Sequence, residues 1–215
     1  MTSPLFQAAE RSGGGQAPLV LGAMFFADRL RLALDFDPDR LSQDLSNAVS
    51  HGWRRQADRQ VYDGAWDAIA LRAPAEARHP VAMIFANPMS ESFVDTPVLE
   101  ACPYFRDVLG AFPCTLRSAR LMRLAPGSVI KEHTDDFLDV EDGRVRLHIP
   151  VVTNDRIDFR LNGKPLVMAA GTTWYLRVSD PHSVANRGAT ERVHLVIDAE
   201  LNQWLVGLLE SAETG

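Results

Sequence analysis

Residues 144–150 read Arg-Val-Arg-Leu-His-Ile-Pro, and residues 190–198 read Thr-Glu-Arg-Val-His-Leu-Val-Ile-Asp. Each alternates polar and apolar side chains, the signature of a β-strand with two unlike faces. Val145, Leu147 and Ile149 would pack into a core while Arg144, Arg146 and His148 share the opposite face. Arg192 and His194 stand in the same way against Val193, Leu195 and Ile197. A solvated face would suffice for either strand alone. Two strands with Arg-x-His on one face instead describe a cationic cavity, where guanidiniums grip carboxylates through paired hydrogen bonds.

Further strands are expected at Arg29–Phe36, Ala68–Arg72, Val81–Ala86, Leu116–Leu124, Val129–His133, Ile157–Leu161, Thr172–Val178 and Ser183–Asn186. Turn pairs punctuate them at Pro126-Gly127, Asp142-Gly143, Asn154-Asp155, Asn162-Gly163 and Ala170-Gly171. Many short strands so spaced predict a sandwich or jelly roll. Asp37-Pro38 opens a helix to about Val49, with Leu41, Leu45 and Val49 on its inner face. Short helical pieces follow in Thr96–Ala111, and a last amphipathic helix spans Glu200–Leu209. The fold expected is mainly β with flanking helices.

Between the two Arg-x-His strands and their neighbours lie His133, Asp135 and His182. A two-residue step on an extended strand returns to the same side, so His133 and Asp135 converge, and His182 joins them from a partner strand. Two imidazoles and one carboxylate suit iron(II) and leave coordination positions open, whereas a structural zinc usually recruits sulfur. The plain alternative is a surface histidine beside a turn aspartate. Asp136 and Asp139 are read as loop-solvating residues, His51 and His79 as surface histidines, and Asp180 and Pro181 as shaping the turn into His182. Trp53, Tyr62 and Trp66 are read as core. For Arg72, a place at the cavity mouth and a surface salt bridge are both open, and for His194 so are a supporting role and packing.

These stretches together resemble one family. Arg120–Asp135, then Arg144–Pro150, then Gly171-Thr-Thr-Trp-Tyr-Leu, Pro181-His-Ser and Arg192–Asp198 are similar in order and spacing to the aspartyl/asparaginyl beta-hydroxylases, iron(II)- and 2-oxoglutarate-dependent oxygenases. The likeness covers about residues 115–200, with support from Tyr62–Arg72. It implies a double-stranded β-helix of the cupin type, with His133, Asp135 and His182 as iron ligands. It implies Arg192 as partner of the distal carboxylate of 2-oxoglutarate, with His148 and Arg146 holding cosubstrate or substrate and O2 as second cosubstrate. In aspartyl-specific members both arginines of the Arg-x-Arg-x-His strand meet the substrate carboxylate, a role that falls on Arg144 and Arg146. Free-proline cis-hydroxylases lack the first, which favours an Asp or Asn substrate here, free or in a peptide or protein. Hydroxylation of another free amino acid such as proline, and a metal-binding module without turnover, are the alternatives. Animal members lack a carboxylate at Asp135, so the complete triad resembles the bacterial branch. They also carry a small hydroxylated residue where Met122 stands, which leaves Arg120 or Arg123 to meet the near end of 2-oxoglutarate, depending on strand register.

Charge bounds the partners. With 22 Lys and Arg against 28 Asp and Glu, the 215-residue chain carries a net charge of −6, which argues against nucleic acid. Cys102 and Cys114 form neither a metal motif nor a disulfide framework and suit a reducing cytoplasm. Residues 1–16, rich in glycine and small polar residues, are read as a flexible arm. Residues 17–215 are read as one domain whose core starts near Pro18. Ala17–Ala27 is apolar but lacks the positive flank of a secretory signal. No stretch reaches the length needed to span a membrane.

Overall fold

The computed structural model describes residues 26–215. The expected arm over 1–16, the core's start at Pro18 and most of Ala17–Ala27 lie outside these residues. In chain order the elements are β1 (Arg29–Asp35), α1 (Pro38–Val49), β2 (Arg54–Arg55), β3 (Tyr62–Asp63), β4 (Trp66–Pro74), α2 (Pro80–Met83) and β5 (Phe93–Asp95). Then come α3 (Pro97–Glu100), α4 (Pro103–Gly110), β6 (Leu116–Leu124), β7 (Val129–His133), β8 (Arg144–Val152), β9 (Ile157–Leu161) and β10 (Lys164–Leu166). The chain closes with β11 (Thr172–Leu176), β12 (His182–Asn186), β13 (Arg192–Glu200), α5 (Gln203–Glu210) and β14 (Glu213–Thr214). Among the described residues no helix is long and apolar enough to cross a membrane.

The strands form two antiparallel sheets. The larger runs β14-β1-β11-β8-β13-β6-β4-β2, with β5 on β4; the smaller runs β10-β9-β12-β7-β3. This is the expected jelly roll with flanking helices. Strand alternation decides what each face meets. Val145, Leu147 and Ile149 of β8, Val193, Leu195 and Ile197 of β13, and Ala119 and Leu121 of β6 join the core shared with α1, α4 and α5. The intervening residues turn toward the smaller sheet, where Leu124, Trp174 and Leu176 meet Ile130, Phe159, Leu161 and Val184. At Gly171, φ is +80° and a Cβ would lie 2.1 Å from the Phe36 carbonyl oxygen, so only glycine fits where β1 and β11 diverge.

Three expectations change. Val81–Ala86 is helix α2 and a turn, because Pro80 supplies a helical φ and His79 Nδ1 accepts from the Val81 N–H at 3.2 Å. In α1, Asp37 caps as expected, but Ala48 is buried and Val49 exposed, since 3.6-residue periodicity carries Val49 past the contact face. The last helix starts at Gln203, capped by the Asn202 side chain, while Glu200 still belongs to β13.

Candidate metal centre

β7 and β12 are neighbours in the smaller sheet, and their register sets His133 directly opposite His182. The two rings lie 4.2 Å apart between centroids. Asp135 follows β7 by two residues, its backbone N–H held by the Val178 carbonyl at 2.9 Å. Ligand atoms of all three residues fall within 4.8 Å of one another. Each histidine turns Nδ1 to a backbone carbonyl, His133 to Lys131 at 2.8 Å and His182 to Asp180 at 3.1 Å. With Nδ1 donating, the lone pair sits on Nε2 of each ring, the form a metal requires. Burial, and then the neighbouring His133, push His182 down to about 4, so it is neutral near pH 7.

The three residues open into a cavity of about 500 Å³ between the sheets. Its floor is built by the larger sheet: Arg120 and Met122 of β6, Arg146 and His148 of β8, Arg192 and Val196 of β13. Loops close the remaining side with Val61, Phe85, Pro88, Phe137 and Leu138. Trp66 also lines it, packed edge-on against the buried Tyr62.

Arg192 is 3 % exposed and pairs with no carboxylate among the described residues. Its one polar contact is Nη2 to His194 Nδ1 at 2.9 Å, and its Nε has no partner. Burial alone lowers it to about 9. Both ring nitrogens of the adjacent His148 are likewise buried without a partner, and burial with Arg192 nearby holds that ring neutral. Native proteins rarely leave such donors empty. The pair fits an anion brought from outside, and the N, N, O donor set nearby fits iron(II).

Arg146 differs. Its Nε and Nη2 donate to Asp198 at 2.6 and 3.1 Å, and its Nη1 donates to Asp135. Asp198 also takes the Ser118 hydroxyl at 2.7 Å and Arg120 Nη2 at 2.9 Å. Burial pushes the Asp198 carboxyl up, but Arg146 and Arg120 outweigh it and hold it well below the usual carboxylate range. Sequence reasoning missed Asp198. The signal was present: it lies six residues after Arg192, on the same face of a strand otherwise cationic there.

Arg144 lies away from the cavity, in an adjoining recess, with Nη1 on the Pro88 carbonyl at 3.1 Å. Strand register resolves the pair from β6: Arg120 faces the cavity, whereas Arg123 turns out to Asp67 at 2.6 Å. Asp136 lines the mouth and Asp139 accepts from Ser179, and neither joins the ligand group. Arg72 pairs with Asp95 at 2.5 Å, the salt-bridge reading. His51 and His79 are exposed.

Against known proteins, the family description aspartyl/asparaginyl beta-hydroxylase matches residues 37–201. L-proline cis-4-hydroxylase of Rhizobium meliloti (strain 1021) is 28 % identical over 180 residues, 83 % of this chain; the chain spans 62 % of that relative's length. Among solved structures, an oxidoreductase of the 2OG-Fe(II) oxygenase family from Burkholderia pseudomallei superposes with a TM-score of 0.50 at 17 % identity, over 78 % of this chain and 84 % of that one. That last likeness is one of fold, and the family match covers both the His-Asp-His group and the Arg192 strand. The chain belongs to the aspartyl/asparaginyl beta-hydroxylase family of iron(II)- and 2-oxoglutarate-dependent oxygenases.

Proposed function

We propose that this protein hydroxylates an unactivated carbon of a small amino acid, with His133, Asp135 and His182 holding iron(II). The observation that carries the reading is Arg192, a buried guanidinium without a carboxylate, in the same cavity as the ligand group. Arg192 and His148 would take the distal carboxylate of 2-oxoglutarate, and Arg120, whose buried Nε has no partner, would take the near end or the substrate carboxylate. When bound, the iron supplies the oxidation: 2-oxoglutarate and O2 yield succinate and CO2, and one oxygen atom enters a C–H bond of the substrate. The protein's part is position and exclusion of water. The cavity floor fixes the cosubstrate, the apolar walls Val61, Leu138 and Phe137 shield the reacting carbon, and no protein nucleophile is needed.

A compact, mainly apolar amino acid such as L-proline is favoured as substrate. Arg144, which would mark an Asp or Asn substrate, is bonded to Pro88 outside the cavity, and Arg146 is occupied by Asp198 and Asp135. The curated relative is named for proline. Hydroxylation of an Asp or Asn residue, free or in a peptide, is the second reading, favoured by the family description. Succinate release by iron-loaded protein, measured with proline, Asp, Asn and Asp- or Asn-bearing peptides, tests both. Stimulation by proline alone supports the first and by Asp or Asn alone the second. No succinate above a His133→Ala control with any compound would leave a metal-binding module without turnover.

A further inference from the structure

A guanidinium is planar, so fixing two of its N–H bonds fixes the direction of the others. In Arg146 that fixing is done by Asp198, through Nε to Oδ1 and Nη2 to Oδ2. The Nη1 donor then ends on Oδ2 of Asp135. Asp198 is itself held, because its Oδ2 also accepts from Ser118 Oγ and Arg120 Nη2, both from β6. Register places Asp198 opposite Arg146 on the adjacent strand β8, so three neighbouring strands of the larger sheet converge on one carboxylate.

Asp135 stands outside that sheet, just past β7 of the smaller one. With Oδ2 taken by Arg146, its other oxygen is the one that faces His133, with Oδ1 3.6 Å from Nε2. We infer that Asp198 is a positioning residue for the metal site, aiming Arg146 so that Asp135 offers only Oδ1 to the ion. The chain Asp198–Arg146–Asp135 thereby ties the ligand-bearing loop to the larger sheet, and it keeps the carboxylate from closing over a position needed by the cosubstrates. The inference rests on the reading of His133, Asp135 and His182 as ligands.

Cobalt(II), titrated into the full chain and followed by its visible absorption, reports both affinity and coordination. In Asp198→Asn and in Arg146→Lys the cobalt dissociation constant should rise on the order of 10- to 100-fold, the range for removal of partners that orient metal ligands. The absorption bands should shift as the freed Oδ2 of Asp135 reaches the ion. The double variant should bind no more than about two-fold more weakly than the weaker single one, because both changes remove one contact. Effects that multiply in the double variant would overturn the inference. So would wild-type affinity and bands in Arg146→Lys, which leaves Asp198 its bonds to Ser118 and Arg120 and decides the matter if Asp198→Asn does not fold. Asp135→Ala, run alongside, separates the two levels. Unchanged cobalt binding there overturns the ligand assignment, whereas loss there with wild-type binding in Arg146→Lys overturns only the role of Asp198.

Discussion

Arg146 and Arg192 come from adjacent strands, are both buried, and line the same cavity, yet their surroundings are opposite. Arg146 faces two carboxylates, which outweigh its burial and raise its pKa; Arg192 faces none among the described residues, and burial lowers its pKa to about 9. The contrast separates two uses of one side chain. A guanidinium saturated by the protein's own anions is part of the scaffold. One kept dry and without a carboxylate is suited to an anion that arrives from solution.

The largest break in that contrast is Arg146→Met. It removes one of the two guanidiniums that pair with the buried Asp198, and removing one partner of a buried ion pair costs about 3–5 kcal/mol, so denaturant unfolding should show a loss of up to that size. Arg192→Met should act with the opposite sign on the ligand-free protein, holding or raising its melting temperature, because the charge removed leaves no carboxylate behind. Its loss appears instead in 2-oxoglutarate binding by calorimetry, weaker by about 2–5 kcal/mol, or roughly 30-fold and more. Equal destabilisation by the two substitutions would erase the distinction.

pH probes the same floor. His148 and His194 are buried, and burial, with Arg192 next to both, holds each well below 6.5. Unfolded histidines take protons near 6.5 and these folded ones do not, so their stabilisation is complete above 6.5 and is lost as pH falls below it. Each should remove about 1.4 kcal/mol per pH unit until its folded pKa is reached. Unfolding free energy measured between pH 7 and 5 should fall accordingly, and a flat profile would mean that the folded imidazoles take up protons over the same pH range as the unfolded ones.

The smallest effect belongs to the mouth. Phe137 is 54 % exposed and adopts φ +62°, a left-handed conformation that costs a side chain about 1–2 kcal/mol. Phe137→Gly should leave the melting temperature level or raise stability by about 1 kcal/mol, while raising KM for the substrate. A fall in both stability and substrate affinity would give Phe137 a packing role instead.

Much of this was legible in the sequence because it is local. Alternation in Arg144–Pro150 and Arg192–Asp198 specifies strands and faces together, and the two-residue step from His133 to Asp135 specifies convergence. Asp198 was legible only as an acid on the Arg192 face; its partners Arg120, Arg146 and Ser118 are brought to it by sheet order, which nothing within β13 announces. The place of Arg144 in the adjoining recess was hidden for a related reason: alternation gives its face but not where along the strand the cavity ends. Val81–Ala86 was misassigned because its apolar run outweighed the signal of His79 and Pro80 beside it.

The wall carrying Phe85 is fastened to the larger sheet largely by arginines. Arg120 holds the Ile84 carbonyl at 3.2 Å, Arg144 and Arg117 hold that of Pro88 at 3.1 and 3.0 Å, and Arg117 holds that of Ser90 at 2.7 Å. All four bonds end on backbone oxygens, which every amino acid carries. Phe85 and Met89, both exposed, are therefore free to vary without loosening the segment, whereas Ile84 packs in the apolar cluster with Met122 and Val196, and Ser90 bonds Glu76. In engineering terms Phe85 is a replaceable tile, through which the shape of the cavity can be rewritten while His133, Asp135, His182 and Arg192 stay as they are.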